Sequence, residues 1–231
     1  MARVLVACEY SGRVREAFRA QGHDAWSCDL LPAEDGSEYH IRNDVFVPLR
    51  ERTWDLLVAH PPCTHLAVSG AKHFAAKQAS GVQQEALEFV RKLLDAPVPR
   101  IALENPVSII SSQVRRPDQV IQPWMFGHEE TKTTCLWLKN LPLLVPTEVV
   151  GKSYSCACGA HWPEALGPAC RHCDGRSKVV LGYGQKSITK SGKVLPKWYN
   201  LPPSESRWKE RSRTFQGIAS AMATQWGATL N

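Results

Sequence analysis

Apolar runs of strand length alternate with amphipathic segments through the first half of the chain, and that alternation restricts the fold more than any other feature. RVLVACEY (3–10) is almost continuously apolar, and GRVREAFRAQG follows with Val14 and Phe18 at helical spacing and a closing Gly22. HDAWSCDL then reads as a second strand ending at Asp29. After an acidic, glycine-containing loop, PAEDGSEYHIRNDV, come strand WDLLVAH and a helix around QQEALEFVRKLLDA, with Ala86, Phe89, Val90, Leu93 and Leu94 on one face. PRIALENP is a fourth strand and TTCLWLKNL a further one. The pattern predicts an α/β fold: a parallel sheet with helices on both faces, whose ligands bind beyond the carboxyl ends of the strands.

Those ends carry reactive groups. Glu9, Tyr10, Ser11 and Gly12 follow the first strand, Asp29 ends the second, His60 to Cys63 follow WDLLVAH, and Glu104, Asn105 and Pro106 close the fourth. In HPPCTH a proline pair ends regular pairing, since neither ring has an N–H and each restricts the residue before it. Such a stiff turn suits a nucleophilic Cys63, because a thiolate has to be held at a fixed distance from its electrophile. A lone cysteine is more often a small buried hydrophobe. What favours the nucleophile is company: an acid, a thiol and a second acid converge on one rim.

At 231 residues the chain suits one medium domain, or a domain with a small appendage. No apolar run is long enough to span a bilayer, and MARVLVACEYSG reaches charged residues too early for a signal peptide, so a cytoplasmic protein without membrane attachment is expected. In a reducing compartment the eight cysteines need an explanation other than disulfides. Cys156 and Cys158 form a C-x-C pair and Cys170 and Cys173 a C-x-x-C pair, two close chelating turns of the kind tetrahedral zinc takes, with His161 or His172 as possible substitutes. Four thiolates leave no position for water, so the expected zinc is structural. The net charge of +6 and pI near 8.9 suit a polyanionic partner. SRWKERSRTFQGIASAMATQWG reads as a basic loop running into a helix with Ile218, Met222 and Trp226 at helical spacing. Trp26, Trp54 and Trp137 read as core, while Trp124 and Trp162 are candidates to stack on bases.

With these motifs in order, the chain resembles the cytosine-C5 DNA methyltransferases, and more closely their small bacteriophage-encoded members. The resemblance covers most of the chain apart from the cysteine cluster. It implies a Rossmann-like class I S-adenosylmethionine-dependent methyltransferase sheet with a small zinc-ribbon-like insertion: a core over 1–147, the insertion over 148–180, and a segment over 181–231 that completes the cofactor site. Tyr10-Ser11-Gly12 resembles the signature that lies against the methionine part of the cofactor, Asp29 the acid on the ribose, and Asn43-Asp44-Val45 the segment that contacts adenine. WDLLVAHPPCTHLAVSG resembles the Pro-Cys motif, with Pro61 beside the cofactor and the nucleophile at Cys63; LENP resembles the Glu-Asn motif, with the catalytic acid at Glu104 and Asn105 against the base. RTFQGIASAMATQW resembles the C-terminal motif of the family.

There are three departures. Arg13-Val14-Arg15 stands where the family continues with glycines. The Gln-x-Arg-x-Arg motif has two candidates, QVRRP (113–117) and GHEETKTT, of which the second places Glu130, Lys132 and Thr134 at the analogous spacing before a strand; Lys132 and Arg115 are accordingly the candidate substrate cations. Finally, the cysteine cluster sits where a large target-recognition domain would be.

The chemistry implied is addition of the Cys63 thiolate to C6 of cytosine, which makes C5 nucleophilic toward the methyl group, with Glu104 offsetting charge at N3. Basic residues near the rim, Arg115, Arg116, Lys132, Arg207, Lys209, Arg211 and Arg213, would serve an extruded base, although for any one of them a solvated surface role is commoner. Amino-group methylation fits less well, since its Pro-Pro-aromatic motif here has Cys63 in the aromatic place. The expected partner is DNA or a free cytosine nucleotide, with no obligate protein partner evident; the alternative function is that of a non-catalytic zinc-containing DNA-binding protein.

Overall fold

The computed structural model describes residues 1–197, 204 and 207–230. They divide into two compact units, one made of 1–121, 133–145 and 219–231, the other of 122–132 and 146–218.

In the first unit β1 (Arg3–Ala7), α1 (Arg13–Ala20) and β2 (Asp24–Asp29) form the expected β-α-β, followed by β3 (His40–Arg42), α2 (Phe46–Glu51) and β4 (Leu56–Ala59). Next come α3 (Phe74–Ala79), α4 (Val82–Leu94), β5 (Arg100–Pro106), α5 (Ile110–Gln113), β6 (Gln119–Ile121) and β7 (Thr134–Lys139). The sheet order is β3-β2-β1-β4-β5-β7-β6, parallel from β3 to β5 and antiparallel across β7. This mixed, mostly parallel sheet is the α/β fold class expected. Its central strands are apolar through their middles because both faces are covered: every residue of β4, and Val4 to Ala7 of β1, is wholly buried. The strand order reverses between β1 and β4, the place where such sheets open a crevice for ligands.

Two expected loops contain structure. PAEDGSEYHIRNDV includes β3, three residues pairing with β2, too short and too exposed to show a period. The basic loop before the last helix is partly helical, with α6 at Arg207–Ser212, because Arg, Lys and Glu are good helix formers once ordered. α7 spans Gln216–Gly227, and from Ala219 onward it belongs to the first unit, where Trp226 is fully buried and donates its indole N–H to Pro142 O (3.0 Å). Trp54 and Trp137 are core as expected, each with its N–H bonded to a backbone carbonyl, while Trp26 is half-buried. Among the described residues no helix is long and apolar enough to cross a membrane.

The second unit holds β8 (Lys152–Cys156), β9 (His161–Pro163) and β10 (Val179–Tyr183) in the antiparallel order β10-β8-β9, and a hairpin of β11 (Lys186–Ile188) and β12 (Val194–Pro196). It is larger than the expected insertion over 148–180: residues 122–132 and 181–218 group with the cysteines.

Candidate active site

The parallel register determines which side chains meet. Ala7 pairs with Ala59 and Ala59 with Leu103, so one residue further on Cys8, His60 and Glu104 lie in a row across three neighbouring strands. His60 Nδ1 stands 3.0 Å from Glu104 Oε2, with both side chains largely buried. The other ring nitrogen, Nε2, is buried with no hydrogen-bond partner among the described residues. Asn105 Nδ2 donates to Pro61 O (2.8 Å), tying the turn that carries Cys63 to the strand that carries Glu104. Cys63 itself is exposed, and its carbonyl accepts the amides of Leu66 and Ala67 (3.0 and 2.9 Å), so the chain folds back immediately after the thiol.

At the tip of β1, Glu9 turns inward. Its carboxylate accepts the Val14 and Arg15 amides (2.7 and 3.2 Å) at the start of α1, and Ser11 Oγ is 3.4 Å away. Burial pushes the Glu9 pKa up, against the pull of His60 and of these amides. The helix N-terminus that commonly receives a phosphate in α/β folds is thus already occupied by a carboxylate. Arg15, placed where the family continues with glycine, also turns inward: it is wholly buried, donates to Ser27 Oγ (2.8 Å), and pairs with Glu16 and Asp35. Gly12 has φ of 71°, and a Cβ there would fall on the Arg15 guanidinium, so this position takes glycine on two counts.

Of the other expected cofactor residues, Tyr10 is buried with its carbonyl bonded to the Glu34 amide (2.8 Å), and Asp29 holds the Leu31 amide (2.9 Å) at the end of β2. Asn43 and Asp44 line the turn into α2: Asn43 Oδ1 accepts the Asp44 amide and Asp44 Oδ1 the Phe46 amide, both at 2.8 Å.

Of the two expected substrate cations, Arg115 shares a unit with this rim and is not brought to it. Arg115 bonds to Leu138 O (2.9 Å) and Asp118 (2.7 Å), and Leu138 pairs with Ala102, two residues below Glu104; because β7 runs antiparallel to β5, Arg115 ends toward the amino ends of the parallel strands. There it lines a cavity of about 500 Å³ with Arg91, Asp95 and Lys139, away from the chemistry. Lys132 belongs to the second unit, where its ammonium donates to Arg211 O (2.9 Å) and stands 5.9 Å over the Phe215 ring. Glu130 is in that unit too, half-buried and with its pKa raised by burial, whereas Thr134 opens β7.

The four cysteines fit a tetrahedral ion. Cys156 and Cys173 sulfurs lie 3.7 Å apart, those of Cys158 and Cys170 3.6 Å, and all four within 4.8 Å of one another. Zinc–thiolate bonds of about 2.3 Å give a tetrahedron with edges of about 3.8 Å. Each pair sits in a tight turn, closed by Gly159 N–H to Cys156 O and Gly175 N–H to Cys170 O. The Ala160 amide and then His172 push the Cys158 thiol down to about 6, toward the ligating thiolate. His161 is engaged elsewhere, with Ser155 and Glu129, and the four sulfurs are the group that lies within ligating range.

No protein-family model matches the chain, and no curated protein does. Among solved structures the chain is similar to a protein described as a DNA modification methyltransferase encoded within an E. coli prophage, at 13% identity and a TM-score of 0.44, over 65% of this chain and 52% of that one. It is also similar to the S. pombe Dnmt2 methyltransferase, at 14% identity and a TM-score of 0.39, over 62% of this chain and 50% of that one. The chain therefore spans about half the length of each. At such distances function has to be read from the chain's own residues.

The contact sequence reasoning missed is the His60–Glu104 pair. His60 stands before the proline pair and Glu104 before Asn105, but their meeting depends on the β4–β5 register, which one sequence does not display.

Proposed function

We propose that the chain transfers a methyl group from S-adenosylmethionine to C5 of cytosine in DNA, through a covalent adduct with Cys63. The observation that carries this reading is the interlock of two neighbouring strand tips: Asn105 braces the Pro61 carbonyl while Glu104, the residue before it, is hydrogen-bonded to His60, the residue before Pro61. A thiol and an acid are thereby held on one rim by reciprocal contacts, an arrangement that a pure binding module has no use for.

The strand tips suit the cofactor. A dinucleotide would need the α1 amides for its phosphates, and Glu9 has taken them; a buried carboxylate instead favours a cationic group such as a sulfonium. Tyr10, Ser11, Gly12 and Pro61 are assigned to the methionine end, Asp29 to the ribose, Asn43 and Asp44 to the adenine, and the segment containing α7 to the far wall. When bound, S-adenosylmethionine supplies an electrophilic methyl group. Cys63 adds to C6, Glu104 holds the proton shared with N3, and Asn105 keeps the turn and the acid in register. The four cysteines hold a structural zinc, which takes no part in these steps.

The test is to incubate the protein with S-adenosylmethionine and either cytosine-containing DNA or deoxycytidine nucleotides, then seek 5-methyldeoxycytidine by mass spectrometry. Product in the polymer supports the proposal, product in the monomer alone moves the substrate to a free nucleotide, and none in either with cofactor bound defeats it. His60 enters as a positioning residue for Glu104. His60→Ala is expected to lower kcat by about 10- to 100-fold with little change in KM, and His60→Asn, which keeps a donor near Nδ1, to recover most of it. Steady-state kinetics on both variants check this, and unchanged kcat in the alanine variant would dismiss the role.

A further inference from the structure

We propose that the outer face of the β10-β8-β9 sheet is a stacking surface for the unpaired bases of single-stranded DNA. The two faces of this sheet differ. On the inner one Ser153 and Ser155 are buried, Ser155 Oγ accepts the Lys186 amide (3.0 Å) from β11, and a Cβ on Gly182 would lie 3.2 Å from the Lys186 side chain. That face is packed by the β11–β12 hairpin.

The outer face is aromatic. Register places Trp162, Tyr154 and Leu181 in one cross-strand row and Lys152 and Tyr183 in the next. Tyr154 and Trp162 have ring centroids 5.7 Å apart at 27°, and Tyr183 stacks on Trp124 at 4.1 Å and 13°. Leu181, 41% exposed, pairs with Tyr154 and stands two residues before Tyr183 on the same strand, and Lys152 Nζ stands 5.7 Å from the Tyr183 ring. A row of half-exposed rings around an exposed leucine, with an ammonium at its edge, offers flat apolar area to bases and a cation to the phosphate between them.

Charge points to the same occupant. Of 28 Lys and Arg and 22 Asp and Glu, residues 122–132 and 146–218 hold 13 and 7, so this unit carries the whole formal charge of +6 and the first unit carries none. Four thiolates around a divalent ion remove about two of those charges and leave the unit basic. A duplex offers this face only phosphates, since its bases are stacked on one another; a single strand offers both bases and phosphates. The choice of DNA rests on the cytosine reading above, but the binding does not.

The experiment measures binding of fluorescein-labelled oligothymidine and of a matched duplex to the zinc-loaded 231-residue chain by anisotropy. Oligothymidine contains no cytosine, so the result is independent of methyl transfer. The single strand is expected to bind more tightly than the duplex, Tyr154→Ala to weaken it at least about fivefold, and Tyr154→Phe to bind like wild type. Leu181→Glu, at an exposed position the fold tolerates, is expected to weaken it about tenfold or more by placing a carboxylate among the rings. Wild-type affinity in Leu181→Glu, or a duplex bound as tightly as the single strand, would overturn the proposal. So would capture of a protein or of anionic vesicles in preference to the oligonucleotide. Tight oligothymidine binding without 5-methylcytosine formation would leave this face standing and remove the cytosine reading instead.

Discussion

Cys63→Ala abolishes methyl transfer, with an expected loss on the order of 10⁴-fold or more, and leaves the fold intact. Residue Cys63 is exposed, and its carbonyl, which alanine keeps, accepts the Leu66 and Ala67 amides that fold the turn back. Truncation therefore opens no cavity, while addition to C6 has no substitute among the neighbouring groups: Cys8 is half-buried, with desolvation pushing its thiol pKa far up, and burial holds Cys28 up at about 11. The decisive assay uses DNA with 5-fluorocytosine at the target base. Elimination needs loss of a proton from C5, and fluorine cannot leave that way, so the wild-type protein is held as a covalent complex that survives denaturing electrophoresis. The alanine variant gives none. Product formation by that variant at wild-type rates would mean that Cys63 is a bystander of a different reaction.

Metal removal has the second large effect, confined to one part of the molecule. The main hydrophobic cluster, from Leu5 to Trp137, lies entirely in the first unit. Among the described residues of the second unit, the buried apolar side chains other than cysteines are Pro123, Phe126, Phe215 and Ile218. At roughly 1.5–3 kcal/mol each these cannot offset the ordering of a chain of this length, whereas a structural zinc contributes about 10–16 kcal/mol. Intact mass spectrometry should find one zinc per chain. A strong chelator, or Cys170→Ala, should then open residues 146–218 to limited proteolysis while the parallel-sheet unit stays resistant. A chelated protein that resisted protease throughout would show that the sulfurs hold no fold-determining ion.

How much of this could be read from the chain varies with the length of the signal. RVLVACEY, WDLLVAH and PRIALENP are long enough, and buried on both faces, so their composition alone marks them as central strands. The turn at HPPC is marked by residues that cannot be anything else. Short elements were not legible: β3 has three residues, and β9 pairs with β8 through three as well. Arg115 went astray for another reason. Its placement depends on β7 running against β5, and direction leaves no trace in the composition of TTCLWLKNL. The inward turns of Glu9 and Arg15 were equally hidden, since charged side chains are assigned to solvent by default and these two find partners in each other's neighbourhood instead.

The first unit is also discontinuous along the chain. Its stretches at 1–121 and 133–145 are joined by a third at 219–231, where Gln225 exchanges hydrogen bonds with both the amide and the carbonyl of Val145 (2.8 Å each) and Trp226 reaches Pro142. On the ribosome this has a cost in time. The parallel strands can pair as soon as β5 has emerged, but the apolar surface that Met222 and Trp226 will cover stays open until the whole of the basic second unit has been synthesised. The nascent chain thus passes through an interval in which it is sticky and incomplete, and chaperone access during translation bears on its yield as much as the stability of the finished protein does.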